Sequence, residues 1–398
     1  MSRHPSRFVP RFVPAVLSSL LVAALAVSLW PGNARAHESF EHYLFVPDRA
    51  LAQVTVIDTN RDTVIARIPV GKVPHQVVVS AVLGKLVASN TADNTISIID
   101  LETFKVRATL QLGAAPEHMQ LSPGGELLAV GNIEGGTVSL VSLAAEREIA
   151  RIPGLSQPHN LTFSPDGSKL YVANLGAGHV SVIDVAKARI VDEIPVAEPR
   201  LIVVKATDPG ADYQGIINVT ASADGRFGFA ASGEAGALAV IDLERGAKVA
   251  TLKLGDRPWR AYASADGRYM IVPNNGDATV SIVSAKTLEV VATLPGAVGV
   301  TGVNTDASGK IAFVISRSEE KIVLLDLESL SPAGEIALPG SPETGVISPH
   351  GKKLYVALSD IGKVAVIDVP GRKLLRMIDG VGQEPWGTTM AGADNYCH

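Results

Sequence analysis

Three histidines, His75, His118 and His159, follow one another at steps of 43 and 41 residues. Three neutral imidazoles suit copper, zinc or iron and leave a position open for a substrate. Glu117, Trp259, Arg260, Glu343 and Trp386 stand at recurring places in the same chain. Arginine pairs carboxylates, and aromatic walls with a few convergent polar groups make a ligand pocket. Arg200 adds a further cation in a long connection. A second group, His37, His42, Cys397 and His398, lies near the two ends of the chain. Imidazoles, a terminal amine and a thiolate together suit copper or zinc. The last five residues share the tail of a C-x-x-C-H haem attachment, but Asp394 stands where the first cysteine belongs, which argues against covalent haem there. The sequence has no G-x-S-x-G elbow, no G-x-x-x-x-G-K-[ST] loop and no H-E-x-x-H pair, so no motif identifies a catalyst.

The elements that must position these residues come from a repeat. The segment V-x-V-I-D recurs with small changes, ending at Asp58, Asp100, Ser142, Asp184, Asp242, Ser284, Asp326 and Asp368. Every step is 42 residues except one of 58, between Asp184 and Asp242. Eight copies near this period, each with several short alternating strands, predict an eight-bladed all-β propeller of four-stranded blades. One unit reads as strand A over 159–163, B over 170–174, C over 180–184 and D over 190–196. Ser164-Pro165-Asp166-Gly167 supplies a tight turn between A and B. The chain begins with strands B, C and D of one blade and ends with a lone strand A, predicted over 386–391, that completes it. This closure removes exposed sheet edges.

Each strand A is led by a proline or its equivalent. The next residue is His75, Glu117, His159, Ile217, Trp259, Thr301, Glu343 and Trp386 in turn around the ring. The one after is Gln76, His118, Asn160, Asn218, Arg260, Gly302, Thr344 and Gly387. Strand A is innermost in a propeller, so the two sets form two rings at one mouth of the central channel. Strand alternation puts His118 on the opposite face from His75 and His159, with Glu117 in their ring, which opposes a three-histidine metal centre. The sixteen extra residues of the long step lie in a D-to-A connection on the same face, an insertion at about 197–215. It holds Arg200, Lys205, Asp208, Asp212 and Tyr213 and suits a lid.

The run S-P-D-G-x-x-L-Y-V-A-N followed by V-S-V-I-D, at 164–184, resembles the YVTN-type β-propeller repeat. Degraded copies are Ser222-Ala223-Asp224-Gly225, Ser264-Ala265-Asp266-Gly267 and Ser348-Pro349-His350-Gly351. The resemblance implies the fold over nearly all of residues 37–398. It leaves function open, because this repeat serves binding, scaffolding and enzymatic proteins alike. The blade count and export signal are also similar to the eight-bladed d1-haem propellers of periplasmic nitrite reductases and their biosynthetic relatives. That likeness implies a haem-type tetrapyrrole with an axial histidine. Arg260 or Arg200 would pair its carboxylates, and Trp259 or Trp386 would stack on it.

Residues 1–36 read as a secretory signal peptide. Arg3, Arg7 and Arg11 precede the apolar run 15–30, and Ala34 and Ala36 form a small-residue cleavage site. Cleavage after Ala36 would leave one propeller, 37–398, with no stable membrane span, in the periplasm of a Gram-negative source. The chain of 398 residues carries 35 Lys and Arg against 40 Asp and Glu. Residues 37–398 carry 31 against 40, or −9, which argues against nucleic acid as a partner. One cysteine, Cys397, excludes an internal disulfide. The sequence therefore favours an exported monomeric propeller binding a small molecule or a periplasmic protein at the channel mouth, as an accessory of redox or cofactor metabolism. The alternatives are a metal- or haem-dependent oxidoreductase using the mouth histidines, and a pure interaction scaffold.

Overall fold

The computed structural model describes residues 40–196 and 215–393, together with Met1. The leader and its cleavage point, His37, the insertion residues Arg200, Lys205, Asp208, Asp212 and Tyr213, and Cys397 and His398 lie outside the described residues. Eight four-stranded antiparallel sheets are present. Taking the blade completed by both chain ends as blade 1, blades 2 to 8 follow in chain order. Blade 4 shows the unit: strands Pro158–Phe163, Lys169–Asn174, His179–Asp184 and Arg189–Pro195. Each lies within one residue of its expected span. The A-to-B turn closes with the Gly167 N–H donating to the Ser164 carbonyl at 2.8 Å. Gly167 takes φ +71°, a region that glycine enters without a Cβ penalty.

The burial pattern explains why the blades stack. The second and third strands are buried on both faces, whereas the outer strand Arg189–Pro195 is largely exposed. Ala129, Val138 and Leu140 of blade 3 join Leu161, Leu170, Val172 and Ile183 of blade 4 in one cluster. Each fully buried Val, Leu or Ile contributes about 2 kcal/mol. Inside the ring, the first strand of blade 3 (Pro116–Leu121) lies against those of blades 2 (Pro74–Ser80) and 4.

The repeated Asn that ends the second strand pins the turn to the third. Nδ2 of Asn90, Asn132 and Asn274 donates to the Thr and Ser hydroxyls five and seven residues on, at 2.8–3.0 Å. The ring closes as expected, but through a shorter strand. Thr389–Met390 pairs antiparallel with Tyr43–Asp48, and Pro385 bridges Asp48 separately. The expected strand 386–391 is interrupted at 386–388 by the same irregularity that recurs in the other first strands, and this irregularity shapes the channel mouth.

Candidate functional site at the channel mouth

Each first strand starts with, or is led by, a residue paired to the last residue of its second strand. The pairs are Pro74 with Asn90, Pro116 with Asn132, Pro158 with Asn174, Ile216 with Ser232, Pro258 with Asn274, Val300 with Ser316, Pro342 with Leu358 and Pro385 with Asp48. The eight lead positions aligned by sequence are therefore structurally equivalent. Pairing then slips by one residue before it resumes, at Val77 with Ala88 and at Met119 with Val130, for example. Two residues of the first strand thus face one of the second, as in a β-bulge. In blade 2 the two are His75 and Gln76, opposite Ser89. The Ser89 hydroxyl accepts from the Gln76 N–H at 3.1 Å and donates to the Glu117 carbonyl of blade 3 at 2.9 Å. The Met119 N–H donates to the Gln76 side-chain oxygen.

The bulge corrects the expectation that alternation would turn His118 away from its neighbours. Alternation assumes continuous pairing, and Glu117 and His118 sit where pairing is broken. The His118 ring lies 5.2 Å from that of His75 and 3.9 Å from that of His159. Nε2 of His118 and Nε2 of His159 are 3.0 Å apart. Nδ1 of His75 lies 3.3 Å from a Glu117 carboxylate oxygen. His75, Glu117 and His118 each bring one ligand atom within 4.8 Å of the others. The donor atoms that converge within 4.8 Å are those of His75, Glu117 and His118, and His159 adjoins them through His118.

Hydrogen bonding assigns the tautomers along this row. Nδ1 of His159 donates to the Ile217 carbonyl at 3.0 Å, since a carbonyl only accepts. Nε2 of His159 then accepts, and His118 donates to it from Nε2. The His159 residue keeps some exposed surface, but its ring is crowded by His118 and the Ile217 backbone. Burial pushes this imidazole down to about 4, with the Arg260 charge adding to the effect and the Ile217 carbonyl opposing it. His159 is therefore neutral at ordinary pH.

The row continues into a cationic and aromatic sector. His75 meets Trp386 edge to face at 6.0 Å. Trp386 lies beneath two guanidinium groups, Arg49 at 4.0 Å and Arg317 at 5.4 Å from its ring centre. Arg317 Nε is 3.3 Å from the carboxylate of Glu343, which is fully buried and also accepts from the Ser359 hydroxyl. Burial outweighs these partners and raises the Glu343 carboxyl to about 7; Arg317 and Arg49 pull it down and Glu384 pushes it up.

The remaining sector is apolar. Trp259 packs with Leu175, Ile217 and Ile133 rather than joining Trp386 in the row. Arg260 is buried, with its guanidinium 5.3 Å from the Tyr262 ring centre. Of the second candidate group only His42 is described. Its carbonyl accepts from the Thr59 N–H and hydroxyl, both at 2.9 Å, and its ring contacts Tyr43.

Arg49 and Arg317 were not among the residues singled out by sequence, although the signal for them is the same repeat. Each directly follows its second strand, in a third set that runs Arg49, Thr91, Ile133, Leu175, Gly233, Asn275, Arg317 and Ser359. These residues keep the 42-residue step, with the long step between Leu175 and Gly233.

Comparison with known proteins agrees with the architecture. The family model of YNCE-like beta-propellers matches residues 78–394. A curated relative, the seven-bladed beta-propeller protein Rv1057 of Mycobacterium tuberculosis, is 31% identical over 133 residues, which are 32% of this chain and 33% of that protein. Among solved structures, the dihydro-heme d1 dehydrogenase NirN in complex with DHE aligns with a TM-score of 0.71 at 19% identity, over 88% of this chain and 75% of NirN. Hydrazine synthase of Kuenenia stuttgartiensis aligns with a TM-score of 0.56 at 22% identity, over 74% of this chain and 95% of that one. At these identities the structural neighbours share the fold.

Proposed function

This chain belongs to the YNCE-like β-propeller family, and on that premise we propose that it is an exported propeller that binds a small anionic ligand or cofactor at the channel mouth, as an accessory of periplasmic redox or cofactor metabolism. The observation that carries the reading is the convergence of Arg49 and Arg317 on Trp386, next to the His75–His118–His159 row. Residues from five blades meet there. The two guanidinium groups supply paired donors for carboxylate or phosphate. Trp386 offers a flat contact, and Trp259, Ile217 and Leu175 form a separate apolar cluster. Such a combination of apolar surface and few polar groups is how ligand pockets select a partner.

The setting follows from residues 1–36, whose basic start, apolar run and Ala34-x-Ala36 site favour export. The NirN structure is a dihydro-heme d1 dehydrogenase in complex with DHE. That neighbour supports a tetrapyrrole or a related conjugated acid as the occupant. Below about pH 7 the buried Glu343 carboxyl is neutral and leaves Arg317 to the ligand.

The test is native mass spectrometry with an absorbance spectrum on protein recovered from the periplasm, followed by titration with protoporphyrin IX as a planar dicarboxylate probe. A mass starting at His37 and saturable quenching of tryptophan fluorescence at one equivalent are expected. An Arg49→Ala/Arg317→Ala double variant should weaken the quenching by about tenfold or more, the loss of roughly 1.4 kcal/mol. A mass that retains residues 1–36 removes the address. No co-purified ligand together with no saturable quenching removes the ligand reading and leaves the interaction scaffold.

A further inference from the structure

The two halves of the mouth differ in chemistry. Arginines and Trp386 suit an organic anion, whereas the imidazole row carries two histidines and a carboxylate from blades 2 and 3. We propose that the mouth also binds one divalent transition-metal ion, copper(II) or zinc(II), on His75, Glu117 and His118, with His159 as the residue that positions His118. The inference rests on reading the mouth as a ligand site and names its inorganic occupant.

Three observations support it. The first is spacing: the three ligand atoms lie within 4.8 Å of one another, and His75 Nδ1 and Glu117 Oε1 already stand 3.3 Å apart. A tetrahedral ion with ligand bonds of about 2.0–2.2 Å holds its ligands about 3.3–3.6 Å apart, so one pair is already at coordination spacing and the third ligand atom stands within 4.8 Å of both. The second is burial. His75 and His118 are 7% and 1% exposed, which fixes their rings while Glu117 remains partly accessible. The third is the relay behind His118. The Ile217 carbonyl orients His159 through Nδ1, and His159 in turn holds the His118 ring through the Nε2–Nε2 contact at 3.0 Å. Ligating histidines are commonly oriented in this way by a partner on the other ring nitrogen.

The donor set selects the ion. Two imidazoles and one carboxylate suit zinc or copper and are poor for calcium or magnesium, which prefer all-oxygen shells. Three protein ligands leave a fourth position toward the channel, where water or the organic anion can sit. The bulge makes the set possible: it places Glu117 and His118, consecutive in sequence, around a common point with His75.

The experiment uses the full exported protein stripped with a chelator. Copper(II) is titrated against tryptophan fluorescence, since Trp386 lies 6.0 Å from His75, and the loaded protein is examined by electron paramagnetic resonance. Zinc(II) is titrated by calorimetry. One equivalent of either ion is expected, with copper showing two coordinated nitrogens. His75→Ala and His118→Ala should each lose binding by about 100-fold or more, whereas His159→Gln should keep the stoichiometry and the two nitrogens but bind about 10–100-fold more weakly. Thermal unfolding without metal identifies any variant that has failed to fold, and Glu117→Gln then provides a milder probe of the same site. Absence of saturable binding overturns the proposal, as does unchanged affinity in folded His75→Ala and His118→Ala. A third coordinated nitrogen that disappears in His159→Gln overturns this ligand set. If the metal fails to bind while protoporphyrin IX still does, only the metal proposal falls; if both fail, the reading of the mouth falls with it.

Discussion

Glu343 is enclosed beside two arginines, and the balance of those effects is measurable. Arg317, Arg49 and Glu384 are the charged groups that act on it, and burial prevails, raising its carboxyl from 4.5 to about 7. An acid with a raised folded-state value contributes stability below its unfolded value and loses that contribution as pH rises through the folded one. Stability should therefore decline between about pH 4.5 and 7 by an amount on the order of 3 kcal/mol. Glu343→Gln, which cannot ionise, should flatten this slope in chemical denaturation at a series of pH values. An equal slope in the variant would show that Glu343 is not the group responsible. At this scale the sequence was legible wherever chemistry and repeat coincided. His75, His118, Glu117, Trp386 and Glu343 stand out as unusual residues in lead positions. Arg49 and Arg317 do not, because an arginine in a turn is ordinary until the 42-residue step aligns it with the others.

The bulge in each first strand decides where mouth side chains point. Strand existence and order were readable because V-x-V-I-D and S-P-D-G recur and because alternation marks strands packed on both faces. The bulge was not readable: a period of two, carried through residues 116–121, puts Glu117 and His118 on opposite faces, and nothing in that segment announces the extra residue. Ser89 holds the bulge of blade 2 and ties it to blade 3 through the Glu117 carbonyl. Ser89 is fully buried, so Ser89→Ala leaves a buried N–H and carbonyl unsatisfied. The expected loss is about 1–3 kcal/mol, read from the urea midpoint at unchanged m-value. The same variant should weaken metal binding, because Glu117 is held by the backbone that Ser89 contacts. A full-affinity metal site in a destabilised Ser89→Ala protein would separate the latch from the ligand set.

The ring as a whole depends on one closure. Seven blades are continuous in sequence, and their first strands follow from the preceding chain. Blade 1 alone is assembled from both ends, so its first strand arrives only after the other seven have formed the path back. The closing strand is short, with Thr389–Met390 in the ladder and Pro385 in a separate bridge. Asp48 compensates. It replaces the Asn of the repeat and is fully buried. Its carboxylate accepts from the N–H groups of Gln383 and Glu384 at 2.9 and 3.1 Å, and from that of Leu51 at 3.2 Å. The Thr389 hydroxyl then reaches across to the Val77 carbonyl of blade 2 at 3.2 Å. The substitution of Asp for Asn was visible in the sequence, but its meaning was not: two of the three partners, Gln383 and Glu384, stand more than 330 positions away. Asp48→Ala should cost about 3 kcal/mol or more, because it strips an acceptor shared by three backbone donors. Asp48→Asn keeps one acceptor oxygen and should recover part of that loss. Hydrogen exchange locates the effect. Protection should fall first at Trp386, whose N–H donates to the Pro47 carbonyl, and at 389–390, before blades 3 to 7 respond. Uniform loss of protection around all eight blades would mean that the ring opens as one cooperative unit, with no weakest point at its seam.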